Sequence, residues 1–99
     1  MVKLVVAYGA PEDPAAFDRH YESTHAPLAR KIPHLRRFEA GKVLGTPDGS
    51  AAPYYLIAEL LFDSPGELQA GMDSPEGQAA AADVGTFATG GATLMIAEV

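Results

Sequence analysis

The sequence contains no cysteine, and this absence excludes several kinds of chemistry at once. Disulfide bonds, thiolate nucleophiles and cysteine-based zinc sites all require that residue. A chain without cysteine has no need of an oxidising compartment, so we expect a cytoplasmic protein. Any metal site would have to be built from histidine and carboxylate ligands.

Basic residues and long apolar runs are also scarce. Seven lysine and arginine residues stand against thirteen acidic residues, which gives a formal net charge of −6. A chain with this balance repels phosphate backbones, so nucleic acid is not an expected partner. No stretch approaches the roughly 20 apolar residues that cross a bilayer, so we expect no membrane partner either.

Several motifs that hold cofactors are missing. There is no Gly-x-Ser-x-Gly elbow, no glycine-rich phosphate loop and no dinucleotide fingerprint after the first apolar segment. The one histidine and carboxylate pair at helical spacing, Glu22 with His25, lies on diverging faces of the predicted helix. We therefore expect neither a bound cofactor nor a metal.

The length of the chain predicts one domain over residues 1–99. A core of this size buries only about two-thirds of the surface that the unfolded chain exposes, so it is marginally stable by itself. Burial against a second copy would relieve that weakness. We accordingly expect a homodimer.

Apolar patterning and turn residues predict four strands and two helical regions. The strands are expected at 2–8, 35–43, 53–62 and 92–99. Asp13, Ser64 and Ser74 each precede a proline and are expected to cap helices. Pro27 should break or kink the first helical region, and the second should end near Gly90.

The order strand, helix, strand, strand, helix, strand predicts an α+β protein. Right-handed crossovers place both helical regions on one face of a four-stranded antiparallel sheet, which is the ferredoxin-like βαββαβ fold. The strand at 53–62 is apolar on both of its faces, with Glu59 as the exception. The helix-free face should therefore be covered by a second sheet.

Phe17, Tyr21 and His25 form the most specific local pattern, because they follow at four-residue spacing on one helical face. An imidazole beside a phenol can serve as a general base or as a ligand anchor. The alternative is a core histidine that hydrogen-bonds a backbone carbonyl. His20 and His34 lie off this face, and both are expected to be solvated.

Two carboxylates are further candidates for the site. Glu59 could act in acid–base chemistry if the sheet desolvates it, or it could pair with Lys3 or with an arginine of the second strand. Asp83 could face a cleft or could simply lie on the solvated side of its helix.

The chain resembles the EthD family, named for ethyl tert-butyl ether degradation, along almost its whole length. The residues that carry the resemblance are Phe17–Asp18, Tyr21, Thr24–Leu28, 57–60, 62–64, 74–78, Asp83, Phe87 and Gly90–Gly91.

The resemblance implies a dimeric α+β barrel in which two four-stranded sheets pack face to face and ligands lie between sheet and helices. It suggests a cofactor-independent oxidoreductase or isomerase acting on a hydrophobic or aromatic small molecule. His25 and Tyr21 would be catalytic, and the ligand would contact Phe17, Glu59, Asp83 and Phe87. A non-catalytic accessory protein that binds such a molecule for a partner enzyme is the alternative. Haem ligation by His25 is a more distant one.

Overall fold

A computed structural model describes residues 1–99. The strands are β1 (Val2–Tyr8), β2 (Arg37–Lys42), β3 (Leu56–Phe62) and β4 (Ala92–Glu98). The first helical region consists of α1 (Pro14–His20), a π-helical turn (Tyr21–His25, the π turn) and α2 (Ala26–Arg30), and the second consists of α3 (Pro65–Asp73) and α4 (Pro75–Phe87). None of the helices is both long enough and apolar enough to cross a membrane.

The four strands form one antiparallel sheet in the order β2-β3-β1-β4. β1 and β3 lie in the centre, and β2 and β4 are the edge strands. One helical region connects β1 to β2, and the other connects β3 to β4. With this strand order, that is the ferredoxin-like arrangement. The predicted α+β class and βαββαβ order are confirmed.

The core lies between the helices and one face of the sheet. Alternate residues of β3 from Leu56 to Phe62 are buried there, and β1 alternates in the same way before ending in Tyr8, which is 1% exposed. Phe17 of α1 and Phe87 of α4 pack on this face. Removing such apolar surface from water stabilises the fold by roughly 25 cal/mol per Å².

The opposite face of the sheet is less well covered. Ile57, Glu59 and Leu61 of β3 are only half-buried, and Met95 of β4 is exposed. Most of these side chains are apolar. This is therefore the face of the sheet that we predicted, from the strand that is apolar on both sides, to be covered by a second sheet.

All three predicted helix caps are present. The Asp13 carboxylate accepts a hydrogen bond from the Ala16 N–H at 3.1 Å. The hydroxyl oxygen of Ser64 accepts from Glu67 N at 3.1 Å, and that of Ser74 accepts from Gly77 N at 3.0 Å. Each cap satisfies a donor that the first helical turn would otherwise leave free.

Several boundaries differ from the predictions, and β2 spans Arg37–Lys42 rather than 35–43. α4 ends at Phe87 rather than near Gly90, because Ala88 leaves the helical conformation and accepts a turn hydrogen bond from Gly91, whose φ of +85° favours glycine. β3 begins at Leu56 rather than at residue 53, where a proline has no N–H to donate to a neighbouring strand.

Candidate functional site

The predicted break at Pro27 is a wider helical turn and not the end of a helix. Pro27 has no N–H, and in a regular α-helix its ring would collide with the carbonyl four residues earlier. The π turn directly precedes it, and the Ala26 N–H donates to the Tyr21 carbonyl five residues back. Helical hydrogen bonding thus continues from α1 into α2, and turns of this kind are frequent at functional sites.

The π turn directs two histidines to one carboxylate. In a regular α-helix, residues five apart point about 140° away from each other, since each residue adds about 100°. Hydrogen bonding from i to i+5 aligns them instead. His20 Nε2 lies 2.9 Å from both carboxylate oxygens of Asp83, and His25 Nδ1 lies 3.0 Å from Oδ2. The prediction that His20 is solvated is wrong, because it assumed regular α-helical geometry.

Asp83 of α4 is the centre of this cluster, and its side chain is 12% exposed. The Thr86 hydroxyl donates to its Oδ1 at 3.1 Å. Burial alone would raise the pKa of Asp83, but the hydrogen bonds from His20, His25 and Thr86 together lower that pKa below its ordinary value. Asp83 is therefore ionised at neutral pH and orients both imidazole rings.

His25 is buried, and its two ring nitrogens have different partners. Because Nδ1 faces an ionised carboxylate, it carries the proton, which leaves Nε2 as an acceptor. The Tyr8 hydroxyl lies 3.4 Å from Nε2, at the weak end of hydrogen bonding. Burial lowers the pKa of His25, and the Asp83 carboxylate offsets this only in part. The ring is neutral at neutral pH and can accept a proton at Nε2.

Phe17 and Phe87 pack around these groups. The Phe87 ring centroid lies 4.8 Å from that of His25 and 5.0 Å from that of His20, and Phe17 stacks on Tyr21 at 5.8 Å. Both phenylalanines are buried. The structure thus places these two predicted ligand contacts against the histidine and tyrosine rings, but neither of them is among the residues that line the apolar cavity at His25.

An apolar cavity of about 130 Å³ lies between the sheet and the helices. Of the predicted site residues, Tyr21 and His25 line it, together with Tyr8, which the sequence indicated only as part of a core strand. The remaining lining is apolar and comes from all four strands and from α2, α3 and α4. A dry cavity of roughly 150 Å³ can hold benzene, so this one matches a small ring.

Tyr21 has the one buried side-chain polar atom without a hydrogen-bond partner, its hydroxyl oxygen. The phenols of Tyr8 and Tyr21 influence each other's pKa, yet their hydroxyls are not in hydrogen-bond geometry. Burial raises the pKa of Tyr21 to about 12, although the positive charge of Arg30 acts in the opposite direction. The hydroxyl is therefore protonated at neutral pH and free to donate.

A larger open cleft of about 620 Å³ runs between the first helical region and β2. It shares Tyr21 and Phe38 with the cavity, so these two side chains separate the cavity from solvent on that side. Asp18 lies at the cleft, where it accepts from Lys42 at 2.5 Å and from the Tyr55 hydroxyl at 2.8 Å.

Glu59 is not brought together with the other predicted site residues. It lies on the helix-free face of β3, where Lys3 Nζ approaches its Oε2 at 2.6 Å. The predicted alternative, an ion pair with Lys3, is confirmed.

The acidic and histidine side chains form no group of three that could hold a metal ion. His34, the third histidine, is exposed, as predicted, and lies in a turn with φ of +68°. The cavity beside His25 has the volume of a single small ring, which is far too small for a porphyrin.

Comparison of the sequence with known proteins finds one domain family and a close relative. The model of the EthD domain matches residues 10–91. An uncharacterized 11.0 kDa protein from the thcB-thcC intergenic region of Rhodococcus erythropolis is 46% identical over 98 residues, covering 99% of this chain and 94% of that protein.

Solved structures agree with the sequence match. The crystal structure of an ethyl tert-butyl ether degradation family protein from Bacillus halodurans is 45% identical, with a TM-score of 0.94, covering 100% of this chain and 98% of that one. A dimeric ferredoxin-like protein of unknown function from Jannaschia is 25% identical, with a TM-score of 0.73, covering 99% of this chain and 98% of that one.

Proposed function

The chain belongs to the EthD family, and from that premise we propose that it is a small homodimeric enzyme that binds an apolar or aromatic molecule between sheet and helices. His25 is the general base of the proposed reaction. One observation carries the proposal: a buried imidazole with Nδ1 on an ionised carboxylate lines an apolar cavity, and its unprotonated Nε2 is approached by the Tyr8 hydroxyl at a weak 3.4 Å.

The cavity supports a ligand of the proposed kind. Its volume of about 130 Å³ suits one small ring, and its lining leaves only Tyr8, Tyr21 and His25 to provide hydrogen-bonding groups. Mostly apolar pockets with a few placed polar groups are typical of small-molecule sites.

The electrostatics of His25 support its role as a base. A general base works best when it is unprotonated at the operating pH and held in one orientation. Burial keeps the pKa of His25 below its ordinary value, and Asp83 fixes the ring through Nδ1. This pairing of an imidazole with an orienting carboxylate follows the logic of hydrolase triads, without a nucleophile.

Dimerisation through the helix-free face of the sheet completes the proposal. Ile57, Leu61 and Met95 give that face an apolar character that a second copy would cover. A stable interface buries about 1,200–2,000 Å² in total. The cavity lies on the other side of the sheet, so pairing in this way would leave it accessible.

Toluene binding tests the cavity. We expect toluene to shift the amide resonances of cavity-lining residues and to raise the melting temperature of the wild-type protein. Ala81→Leu should abolish both effects because Ala81 lines the cavity, whereas Ala82→Leu, one residue further along α4 and outside the lining, should not. A wild-type protein that does not respond to toluene would contradict the proposed site.

His25→Gln separates catalysis from binding. Glutamine can hydrogen-bond but cannot take up a proton, so the variant should bind toluene and lose turnover of small monocyclic compounds, followed by mass spectrometry. Loss of toluene binding in this variant would identify His25 as an anchor. A wild-type protein that binds such compounds and converts none would instead be the accessory protein.

Leu61→Asp tests the dimer. We expect this change to produce monomers in sedimentation velocity at micromolar concentration, because it puts a charge on the covered face. Leu44→Asp is the control, since Leu44 is fully exposed in the loop that follows β2 and does not lie on the helix-free face of the sheet. A wild-type monomer at that concentration would refute dimerisation.

A further inference from the structure

We infer that the Tyr21 hydroxyl binds an oxygen atom of the ligand, and that this ligand is a small cyclic carbonyl compound that loses a proton to His25. The inference rests on the proposed function, because it specifies the chemistry of the molecule in the same cavity. It adds an electrophilic partner to the proposed base and names the class of substrate.

The first argument is the hydrogen-bond inventory of the cavity. His25 Nδ1 is bound to Asp83, and the Tyr8 hydroxyl lies at His25 Nε2. The Tyr21 hydroxyl is buried and has no partner. Nearly all buried polar groups in folded proteins are paired, so an unpaired one that lines a cavity points to a ligand atom. The raised pKa keeps the proton on this phenol, so its O–H can be given to an acceptor, and we assign the ligand atom as an acceptor such as a carbonyl oxygen.

The second argument is the position of the base. The ring centroids of Tyr21 and His25 are 5.2 Å apart, and both residues line the cavity. A ring of one benzene's size could therefore place its oxygen at Tyr21 and the adjacent carbon at His25. Tyr21 also borders the open cleft, so it lies between the cavity and that side of the molecule.

The reaction balances without an oxidant or a reductant. His25 Nε2 takes the proton from the carbon next to the carbonyl, the C–H bond breaks, and its electron pair moves to the oxygen as an enolate. The Tyr21 O–H stabilises that enolate by hydrogen bonding, in the way that oxyanion donors act in other enzymes. The proton then returns from Nε2 to the same carbon or to a conjugated one, which gives exchange or isomerisation.

Phenol and toluene are the binding probes, because they have nearly the same shape and differ in one oxygen. Tyr21→Phe should weaken phenol binding on the order of tenfold and leave toluene binding unchanged, as titrations by calorimetry or NMR would show. The variant should melt no earlier than the wild type, since the deleted hydroxyl has no partner. Tyr55→Phe is the control, because the Tyr55 hydroxyl binds Asp18 away from the cavity and should affect neither probe.

Cyclopentanone is the reaction probe. In D₂O the wild-type protein should speed exchange of the protons next to the carbonyl, measured by proton NMR. Tyr21→Phe should slow this exchange on the order of a hundredfold. His25→Gln should reduce the rate to that of buffer while still binding toluene, which shows that the variant is folded.

The outcomes separate this inference from the proposed function. If toluene binds but Tyr21→Phe affects phenol and toluene equally, or neither, the cavity is a ligand site and the assignment of Tyr21 is wrong. If phenol binds as expected but cyclopentanone exchange is not accelerated, the proton-abstraction step is overturned. If neither phenol nor toluene binds, the proposed function and this inference fall together.

Discussion

The two helical regions that cover the sheet are both interrupted next to a proline, and the interruptions are built differently. In the first, hydrogen bonding continues through the π turn, and Pro27 follows without a new helix cap. In the second, α3 stops at Asp73, and Ser74 caps a new helix that begins at Pro75. One region widens, whereas the other ends and restarts.

The two interruptions have different effects on the side chains around them. Widening preserves the helix but changes which side chains share a face, and it is this region that supplies His20, Tyr21 and His25 to the site. Restarting creates a tight corner where Gly77 approaches the backbone of Gly71, and its main contribution is packing. The second region supplies the site with its orienting carboxylate, Asp83.

The largest effect on stability is expected at the tight corner. A Cβ at Gly77 would lie 2.6 Å from Met72 Cα and would collide with the Gly71 carbonyl. Gly77→Ala should therefore lower the free energy of unfolding by about 3 kcal/mol, measured by urea denaturation. Gly85→Ala, in the same helix and with nothing within 4 Å, should raise it by about 0.5–1 kcal/mol. Equal effects of the two changes would disprove the close-packed corner.

Asp83→Asn tests the link between the two regions. The amide keeps one acceptor oxygen but loses the charge that holds both imidazoles, so we expect a loss of about 1–3 kcal/mol. Because the Asp83 carboxylate raises the pKa of His25, the variant should show a still lower pKa for His25 in an NMR titration. A higher pKa in the variant would contradict the assigned contact between His25 and the Asp83 carboxylate.

His20→Ala tests the alignment produced by the π turn. With its side chain 32% exposed, His20 should contribute about 1 kcal/mol through its bond to Asp83. His34→Asn is the control, since His34 is exposed, makes no such bond, and asparagine tolerates its positive φ. A His20→Ala protein as stable as the control would mean that the second imidazole is dispensable to the cluster.

The smallest effect is the pH dependence of stability. The pKa of His25 is lower in the folded protein than its ordinary 6.5, so the unfolded chain binds more protons in this range. The free energy of unfolding should thus fall as the pH drops from about 6.5 towards the folded-state pKa, in denaturation curves at several pH values. Asp83 contributes at lower pH, because its own pKa lies below 3.8. His25→Gln should flatten the upper part of the curve, and a rise in stability there would reverse the assignment.

Much of the fold could be predicted because each element carries its own local signal. The β-branched run at 2–8 and the Ser-Pro pairs at residues 64–65 and 74–75 mark boundaries that the structure confirms. The family resemblance predicted the same fold independently. What the apolar pattern missed were the exact ends of elements, such as the start of β3, which it placed at residue 53 although the proline there has no N–H to pair with a neighbouring strand.

One pair of the site could be predicted although it spans the π turn, because residues four apart stay close to one face there. Tyr21 and His25, four residues apart, lie together at the cavity as the helical pattern indicated. His20 was misassigned because nothing in a one-dimensional pattern distinguishes a π turn from a proline kink. Tyr8 was missed because a tyrosine at the end of an apolar strand reads as core, and its role depends on a residue 17 positions away.

The π turn also has a consequence for the family's history. A helical turn closed from i to i+5 contains one residue more than a regular turn, which is what the insertion of a single codon produces. The middle of this turn, Glu22 to Thr24, is exposed, so an extra residue there disturbs no packing. Relatives that lack it should align with a one-position gap at this point. In them the two histidines would stand four residues apart on one face of a regular α-helix, so the wider turn keeps on one side of the helix two side chains that the extra residue would otherwise separate.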